Sequence, residues 1–241
     1  MNFGIFLETT ADGDMLWWES LASGLKWTLA TAALAWIIAF VVGSAVGVAR
    51  TTSRPWLVRL GNAWVELFRN IPLLVQLFVW YFVVPGLVPA VKRWVITLDP
   101  TEHQFVTAVV CLGLFTSARI AEQVRAGIQS LSRGQRAAGY AIGLTELQTY
   151  RHVLLPMAYR IVIPPMTSET MNLIKNTAVA YSIGLVELFF RTREMGEMTF
   201  RYYEAFGAAT IVYLIIAMTA NRVMAWVERR VAVPGYMGGG K

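Results

Sequence analysis

The 241-residue chain carries a formal net charge of +6, yet only 15% of its residues are charged and 56% are hydrophobic. With a mean hydropathy of +0.51, it is too apolar for a soluble protein of this length, and several long uncharged runs predict an integral membrane protein. A basic stripe with interleaved aromatic residues is missing, which argues against a nucleic-acid binder. The lone Cys111 excludes an internal disulfide framework.

The first twenty residues are acidic and aromatic, and they lack the basic stretch that begins a cleavable signal peptide. We predict a periplasmic, interfacial lead-in over residues 1–20, with its two adjacent tryptophans at the headgroup level. A first span follows over about 21–49, long enough to cross about 30 Å of hydrocarbon. Within it, Gly43 and Gly47 form a small-xxx-small pair. The pair either permits close helix packing or is an ordinary feature of a membrane helix.

A short basic loop comes next, with Arg50, Arg54 and Arg59 on both sides of a proline. By the positive-inside rule this loop lies in the cytoplasm, which places the N-terminus outside. The second span covers about 60–84, and we expect Pro72 to kink it or break it near one end.

The third predicted span runs over about 103–121 and ends in charged residues. Arg119, Glu122 and Arg125 are spaced i, i+3, i+6 and share one helix face, so Glu122 can pair with either arginine. The inner loop that follows is the most basic loop of the chain.

The fourth span, about 157–179, is unusual because we expect Pro164 and Pro165 to interrupt it and because it carries Glu169 and Lys175. A charged residue at the centre of a spanning helix costs roughly 2.5–3.5 kcal/mol, against a gain of about 0.3–0.6 kcal/mol per leucine or isoleucine. This span therefore lies inside the bundle, or its charges line water or pair. Being six positions apart, the two charged residues lie on different helix faces and are not expected to pair with each other.

A polar outer segment over about 184–203 leads to the fifth span, about 204–227. Five spans with an outer N-terminus place the C-terminus inside, next to a further group of arginines. We therefore predict an all-α integral membrane protein with a transmembrane domain over 21–230 and a cytoplasmic tail over 231–241.

Between spans three and four, the segment 134–156 carries charge and two short helical patterns. Residues 137–142 predict a short helix that Gly143 ends with a positive φ. Thr145 fits the N-cap of a second short helix, and Pro156 is expected to end that helix. Such an insert presents a compact projection to something outside the bilayer, although an ordinary surface loop has the same pattern.

This segment resembles the cytoplasmic coupling loop of ABC importer permeases. The family pattern is Glu-Ala-Ala, three residues, Gly, nine residues, then Ile-x-Leu-Pro, and residues 143–156 match it without a gap. Two positions depart from it: Ala137 stands in place of the glutamate and Gly139 in place of the second alanine. The resemblance implies that a coupling loop, about 126–156, contacts an ATPase. Its expected contact residues are Ala137, Ala138, Gly139, Gly143, Leu144, Val153, Leu155 and Pro156.

Two further stretches, 66–76 and 117–130, are similar to the polar amino-acid branch of that family. The 167–176 stretch and the Pro-Gly-x-Met-Gly-Gly motif near the C-terminus are most similar to glutamate/aspartate import permeases. The resemblance covers nearly the whole chain. It implies five transmembrane helices of the type I ABC importer (MetI-like) architecture in a bacterial inner membrane.

The resemblance also implies partners. A second related permease subunit or a second copy, two ATPase subunits and a periplasmic amino-acid binding protein are expected. ATP and Mg²⁺ are then held by the ATPase subunits, and this chain itself holds no cofactor.

In the resembling family the fourth span contributes to the translocation path. An anionic substrate needs a compensating positive charge there, and the planar fork of arginine suits a carboxylate. For the arginines the alternative is a structural role, in interfacial anchoring or in pairing with Glu66 or Glu122. The candidate path residues are Arg69, Gln76, Arg119, Glu169, Lys175 and Asn176.

The sequence contains no recognisable catalytic constellation. Its two histidines, His103 and His152, are far apart, and we find no Cys/His zinc cluster, G-x-S-x-G elbow or Walker A loop. We therefore expect a translocation subunit and not an enzyme. The alternative is an ion-coupled secondary transporter or channel that uses Glu169 and Lys175 as ion or proton sites, although five spans do not divide into two equal inverted repeats.

Overall fold

A computed structural model describes residues 3–231 of the chain. Within this range the structure is helical apart from turns and one isolated bridge between Thr9 and Leu16. In chain order the helices are a 3₁₀ helix (Phe3–Leu7), α1 (Trp17–Ala49), α2 (Pro55–Asn70), α3 (Leu73–Phe78), a π turn (Val79–Val83), α4 (Val84–Leu87), α5 (Pro89–Val95), α6 (Pro100–Gln129), α7 (Arg133–Ala141), α8 (Glu146–Thr149), a second π turn (Tyr150–Leu154), α9 (Leu155–Asn176), a 3₁₀ helix (Thr177–Ile183), α10 (Leu188–Thr199) and α11 (Tyr202–Val231). The predicted cytoplasmic tail and the terminal glycine motif lie outside the described residues.

In the part of the chain that the structure describes, three helices, α1, α6 and α11, are long and apolar enough to cross a membrane. Two further crossings exist if each of two bent pairs counts as one span. The first pair joins α2 to the 73–87 segment with a bend of 103°, and the second joins the 146–183 segment to α10 with a bend of 55°. The all-helical membrane fold is confirmed, whereas the count of five spans stays a prediction.

The second predicted span is broken at the proline that was expected to disturb it. The backbone leaves helical geometry at Ile71 and Pro72. The buried amide of Gln76 then donates from Nε2 to the carbonyl oxygens of Phe68 (2.9 Å) and Ile71 (2.8 Å). Because a helix end leaves its last carbonyl groups without donors, this amide stabilises the corner between α2 and α3.

The fourth predicted span differs from the expectation, because α9 continues through Pro164 and Pro165 without interruption. Each proline lacks an N–H group, so the carbonyl of the fourth residue before it loses its usual donor. Tertiary packing keeps the helix continuous. Val162 and Met166, on either side of the proline pair, are buried in one apolar cluster with Ile120 of α6.

The outer segment predicted before the last span contains a packed helix, α10. Its N-cap residue, Glu187, is fully buried, and the carboxylate accepts hydrogen bonds from the backbone N–H groups of Phe189 (2.9 Å) and Phe190 (2.8 Å). The hydroxyl groups of Thr28 in α1 and Tyr213 in α11 each lie 3.3 Å from the same carboxylate. The sequence predicted a polar outer segment here, but this glutamate joins α1, α10 and α11, because donors from all three helices satisfy it.

The core is built around α6, which packs along α1 and also contacts α2, α3 and α9. Two glycines allow the close approach of α1. A Cβ atom at Gly43 would lie 2.7 Å from the carbonyl oxygen of Ser117, and one at Gly47 would lie 2.8 Å from that of Ala121. The small-xxx-small pair therefore makes a helix–helix contact, as the first of the two interpretations expected.

This contact predicts the effect of a larger side chain. We expect Gly43→Val to overpack the α1–α6 interface at a cost of about 1–3 kcal/mol. For a chain of this size, that lowers the melting temperature of the purified protein in detergent by about 2–10 °C. The matched control is Gly207→Val in α11, where an added Cβ would meet nothing within 4 Å. Equal melting temperatures for the two variants would contradict the packing account.

Candidate functional site

The predicted coupling loop folds as two short helices joined by a glycine turn. Gly143 has a φ of +84°, and Thr145 caps α8 by accepting a hydrogen bond from the backbone N–H of Gln148. These two features confirm the predictions. The predicted end of the second helix at Pro156 was wrong, because α8 continues through the second π turn into α9. Pro156 lies in the first turn of α9, where its missing N–H group is tolerated.

The departure of Gly139 from the family pattern has a structural cause. Gly139 is buried where α7 packs on α8, and a Cβ atom there would lie 2.8 Å from Cγ2 and 3.0 Å from Oγ1 of Thr149. A methyl group at this position would force one of the two helices to shift. Glycine therefore holds α7 and α8 closer together than alanine would allow.

Burial divides the predicted contact residues of the coupling loop into two groups. The exposed group is Ala137, Ala138, Gly143 and Pro156. Leu144, Val153 and Leu155 are half-buried, and Gly139 is buried. Sequence reasoning missed two large apolar side chains that the loop exposes, Ile142 (76% exposed) and Leu147 (78% exposed). A large aliphatic residue in a loop outside the membrane spans is a sequence signal that could have identified them as contact residues.

A polar cavity of about 350 Å³ lies between α2, α6 and α9. It brings together three of the predicted path residues with two that were not predicted for it. The lining residues are Arg69, Arg119, Glu122, Gln123 and Glu169. The side chains of Arg69 (53% exposed) and Arg119 (43% exposed) are the most accessible charges among the ion-paired residues of this cavity.

The ion pairs around this cavity join different helices. Glu122 Oε1 accepts from Nη2 of Arg50 at 2.9 Å and lies 3.5 Å from Nη1 of Arg69. Glu169 Oε2 lies 3.9 Å from Nη1 of Arg119. The spacing on α6 allowed Glu122 to pair with Arg119 or Arg125 of its own helix. Its partners lie on other helices instead, because the end of α1 and the end of α2 both approach α6 at this level.

The cluster has more positive than negative charge. Arg50, Arg69 and Arg119 face Glu122 and Glu169, so three cations meet two anions and one positive charge is in excess. Arg50 is committed to α2 and α6, because its Nε also donates to Oδ1 of Asn62 at 2.8 Å. The two accessible arginines therefore carry the charge that is available to a ligand.

The other predicted path residues lie elsewhere. Gln76 is buried at the α2–α3 corner, Lys175 is exposed near the end of α9, and Asn176 is the half-buried last residue of α9. None of the three lines the cavity, so their assignment to the path stays a prediction. Within residues 3–231 there is no group of three or more His, Cys, Asp or Glu side chains placed to hold a metal ion.

Comparisons with known proteins identify the family. Residues 39–233 match the family described as the binding-protein-dependent transport system inner membrane component. The chain is 48% identical over 240 residues to the glutamate/aspartate import permease protein GltJ of Escherichia coli strain K12, covering 99% of this chain and 98% of that protein. It is also 32% identical over 213 residues to GltK, a glutamate/aspartate import permease protein of E. coli O6:H1 strain CFT073, covering 88% and 93%.

A solved structure shares the fold. The chain superposes with a TM-score of 0.74 on a chain of an amino acid ABC transporter crystallised with histidines, at 26% identity and with 89% of this chain and 95% of that chain covered. The helical bundle, the loop between α6 and α9 and the sequence similarity along the chain thus lead to the same assignment. The chain belongs to the family of inner-membrane components of binding-protein-dependent transport systems.

Proposed function

We propose that this chain is a permease subunit of an ATP-driven importer for acidic amino acids, glutamate or aspartate. The observation that carries the proposal is the 48% identity to GltJ along almost the whole of both chains. Two accessible arginines, Arg69 and Arg119, line the cavity, which agrees with it because glutamate and aspartate each carry one net negative charge near neutral pH. Translocation is the role of this chain, and ATP is hydrolysed on partner subunits.

The subunit works in a larger complex. E. coli has two permease proteins with this substrate in their names, GltJ and GltK, and our chain is similar to both at different levels of identity. This supports a pair of related but different permeases. Two ATPase subunits and a periplasmic binding protein complete the proposed importer. By the positive-inside rule, the basic loops support a cytoplasmic coupling loop, an outer N-terminus and an inner C-terminus.

The cavity between α2, α6 and α9 is the proposed substrate site. The two carboxylates of glutamate bind Arg69 and Arg119, and its ammonium group binds Glu169. The 3.9 Å separation of Glu169 from Arg119 exceeds hydrogen-bond distance, so a substrate carboxylate competes with a weak internal partner. Arginine suits this role because its fork accepts a carboxylate through two parallel hydrogen bonds.

The transport cycle follows from the positions of the loop and the cavity. ATP binding draws the two ATPases together and displaces the coupling loops, which biases the helices towards an outward-open arrangement. The binding protein delivers the amino acid to that arrangement, and hydrolysis returns the complex to the inward-open one. Such rocking of packed helices between two arrangements is a common form of conformational switching.

Uptake by the reconstituted complex tests the function. We expect labelled glutamate and aspartate, but neither glutamine nor arginine, to accumulate in proteoliposomes when ATP and the binding protein are supplied. Each transported amino acid should also stimulate ATP hydrolysis. Uptake driven by a sodium or proton gradient without ATP would contradict the proposal and favour a secondary transporter.

Removing the positive charge of Arg119 should weaken the response of the complex to glutamate. We expect Arg119→Gln to raise the glutamate concentration for half-maximal ATPase stimulation by about 10- to 100-fold, because a hydrogen bond to a charged group contributes about 1.5–3 kcal/mol. Lys175→Gln removes the same charge from a position outside the cavity and should leave this concentration unchanged. The reverse pattern would move the anion site from Arg119 to Lys175.

A further inference from the structure

A buried hydroxyl group joins the coupling loop to the turn between α1 and α2. Tyr150 is 4% exposed, and its hydroxyl donates to the backbone carbonyl oxygen of Thr51 at 2.6 Å. Oγ1 of Thr51 lies 3.1 Å away and donates its own hydrogen to the carbonyl of Val48. Arg136 in α7 donates from Nη2 to the same tyrosine oxygen at 2.9 Å. One oxygen atom therefore connects α7, the start of the second π turn and the α1–α2 turn.

Around this junction the loop and the turn are separated by open space. A cavity of about 560 Å³ lies between the turn and α7, and another of about 480 Å³ lies between the turn and α8. A second hydrogen bond across the gap joins Oγ of Ser53 to Oε1 of Glu146, but it is 3.3 Å long and both residues are exposed. Long, exposed hydrogen bonds contribute little. The Tyr150 hydroxyl is therefore the strongest polar connection between the loop and the turn.

The turn leads directly to the proposed substrate cavity. Arg50, the residue before Thr51, donates to Asn62 of α2 at 2.8 Å and to Glu122 of α6 at 2.9 Å. Glu122 in turn pairs with Arg69, which lines the cavity. Polar contacts, joined by the backbone between Thr51 and Arg50, thus connect the coupling loop through a buried guanidinium to an arginine that lines the cavity.

We propose that Tyr150 is a positioning residue that transmits displacement of the coupling loop to the α1–α2 turn, and through Arg50 to the Glu122–Arg69 pair. This inference rests on the proposed function, because it needs an ATPase that moves the loop. When the loop moves, the hydrogen bond from Tyr150 moves the turn with it. The position of the Glu122–Arg69 pair then changes with the nucleotide state. Without the hydroxyl, the loop moves across the two cavities and the turn stays in place.

The test uses the assembled complex and Tyr150→Phe, which keeps the ring that lies 5.4 Å below the Arg136 guanidinium and removes only the oxygen. Amide hydrogen exchange of residues 50–54 is measured with and without ATP. We expect ATP to change this exchange in the native complex and to change it about three- to tenfold less in Tyr150→Phe. The number of amino acid molecules imported per ATP hydrolysed should fall by a similar factor.

The matched control is Tyr159→Phe, which removes a hydroxyl nine residues further along the same stretch of helix. Tyr159 packs its ring against Phe40 and is expected to keep the native exchange response and import ratio. Arg136→Gln removes only the α7 contact and keeps the bond from Tyr150 to Thr51, so it should cause a smaller loss than Tyr150→Phe. Adding it to Tyr150→Phe should cause little further loss, because both act through one oxygen atom.

A native exchange response and import ratio in Tyr150→Phe would overturn the inference. A parallel fall of uptake and ATP hydrolysis would overturn it too, since a merely structural defect lowers the amount of working complex and leaves the ratio unchanged. If the proposed function itself is wrong, the native complex imports no amino acid with ATP and residues 50–54 do not respond to nucleotide. Failure of the function and failure of the tyrosine link are therefore distinguishable.

Discussion

The guanidinium of Arg50 fixes the geometry on which the rest of this molecule depends. Its side chain is only 5% exposed at the end of α1, and an unpaired charge in such a place costs several kcal/mol. Asn62 and Glu122 pair with it from α2 and α6, so one side chain sets the spacing of three helices. The same pairing gives Glu122 its orientation towards Arg69 and keeps the α1–α2 turn within reach of Tyr150.

A second buried polar residue, Glu187, contacts α1 in its N-terminal half. Glu187 contacts Thr28, whereas Tyr150 contacts Thr51, and at about 1.5 Å per residue these two points on α1 lie about 35 Å apart. That distance is comparable to the thickness of a bilayer core. The Tyr150 contact and the Glu187 contact with α1 are therefore separated by about that thickness. The close glycine contacts between α1 and α6 lie between these two anchors.

Local features were predictable from the sequence, because their causes lie within one helical turn. Gly143, Thr145 and Pro72 each act on their immediate neighbours, and each behaves as expected. The cavity residues Arg69, Arg119 and Glu169 were among the predicted path residues, because a charged side chain in a membrane span is costly and is usually functional. The sequence resemblance supplied the architecture, which the periodicity of single spans did not determine.

Partners from distant helices were not predictable. Glu122 and Arg119 are three residues apart and looked like a pair, but each finds its partner on another helix. Glu187 suggested a polar loop, since nothing near it in sequence announced donors from α1 and α11. The prolines at 164 and 165 have the same local chemistry as Pro72. Packing of α9 on α6 keeps that helix continuous, whereas the corner at Pro72 has an amide to satisfy its open carbonyl groups.

We propose that the coupling loop contacts an ATPase on the cytoplasmic face of the membrane. Site-specific crosslinking in the assembled complex tests it most directly, with single cysteines at Leu147 in the loop and at Phe200 beside α10, which are 78% and 82% exposed. Leu147→Cys is predicted to crosslink to the ATPase and to be protected from a membrane-impermeant thiol reagent applied to intact cells, whereas Phe200→Cys reacts with that reagent. A loop cysteine that forms no crosslink to the ATPase and is labelled from outside would contradict the account.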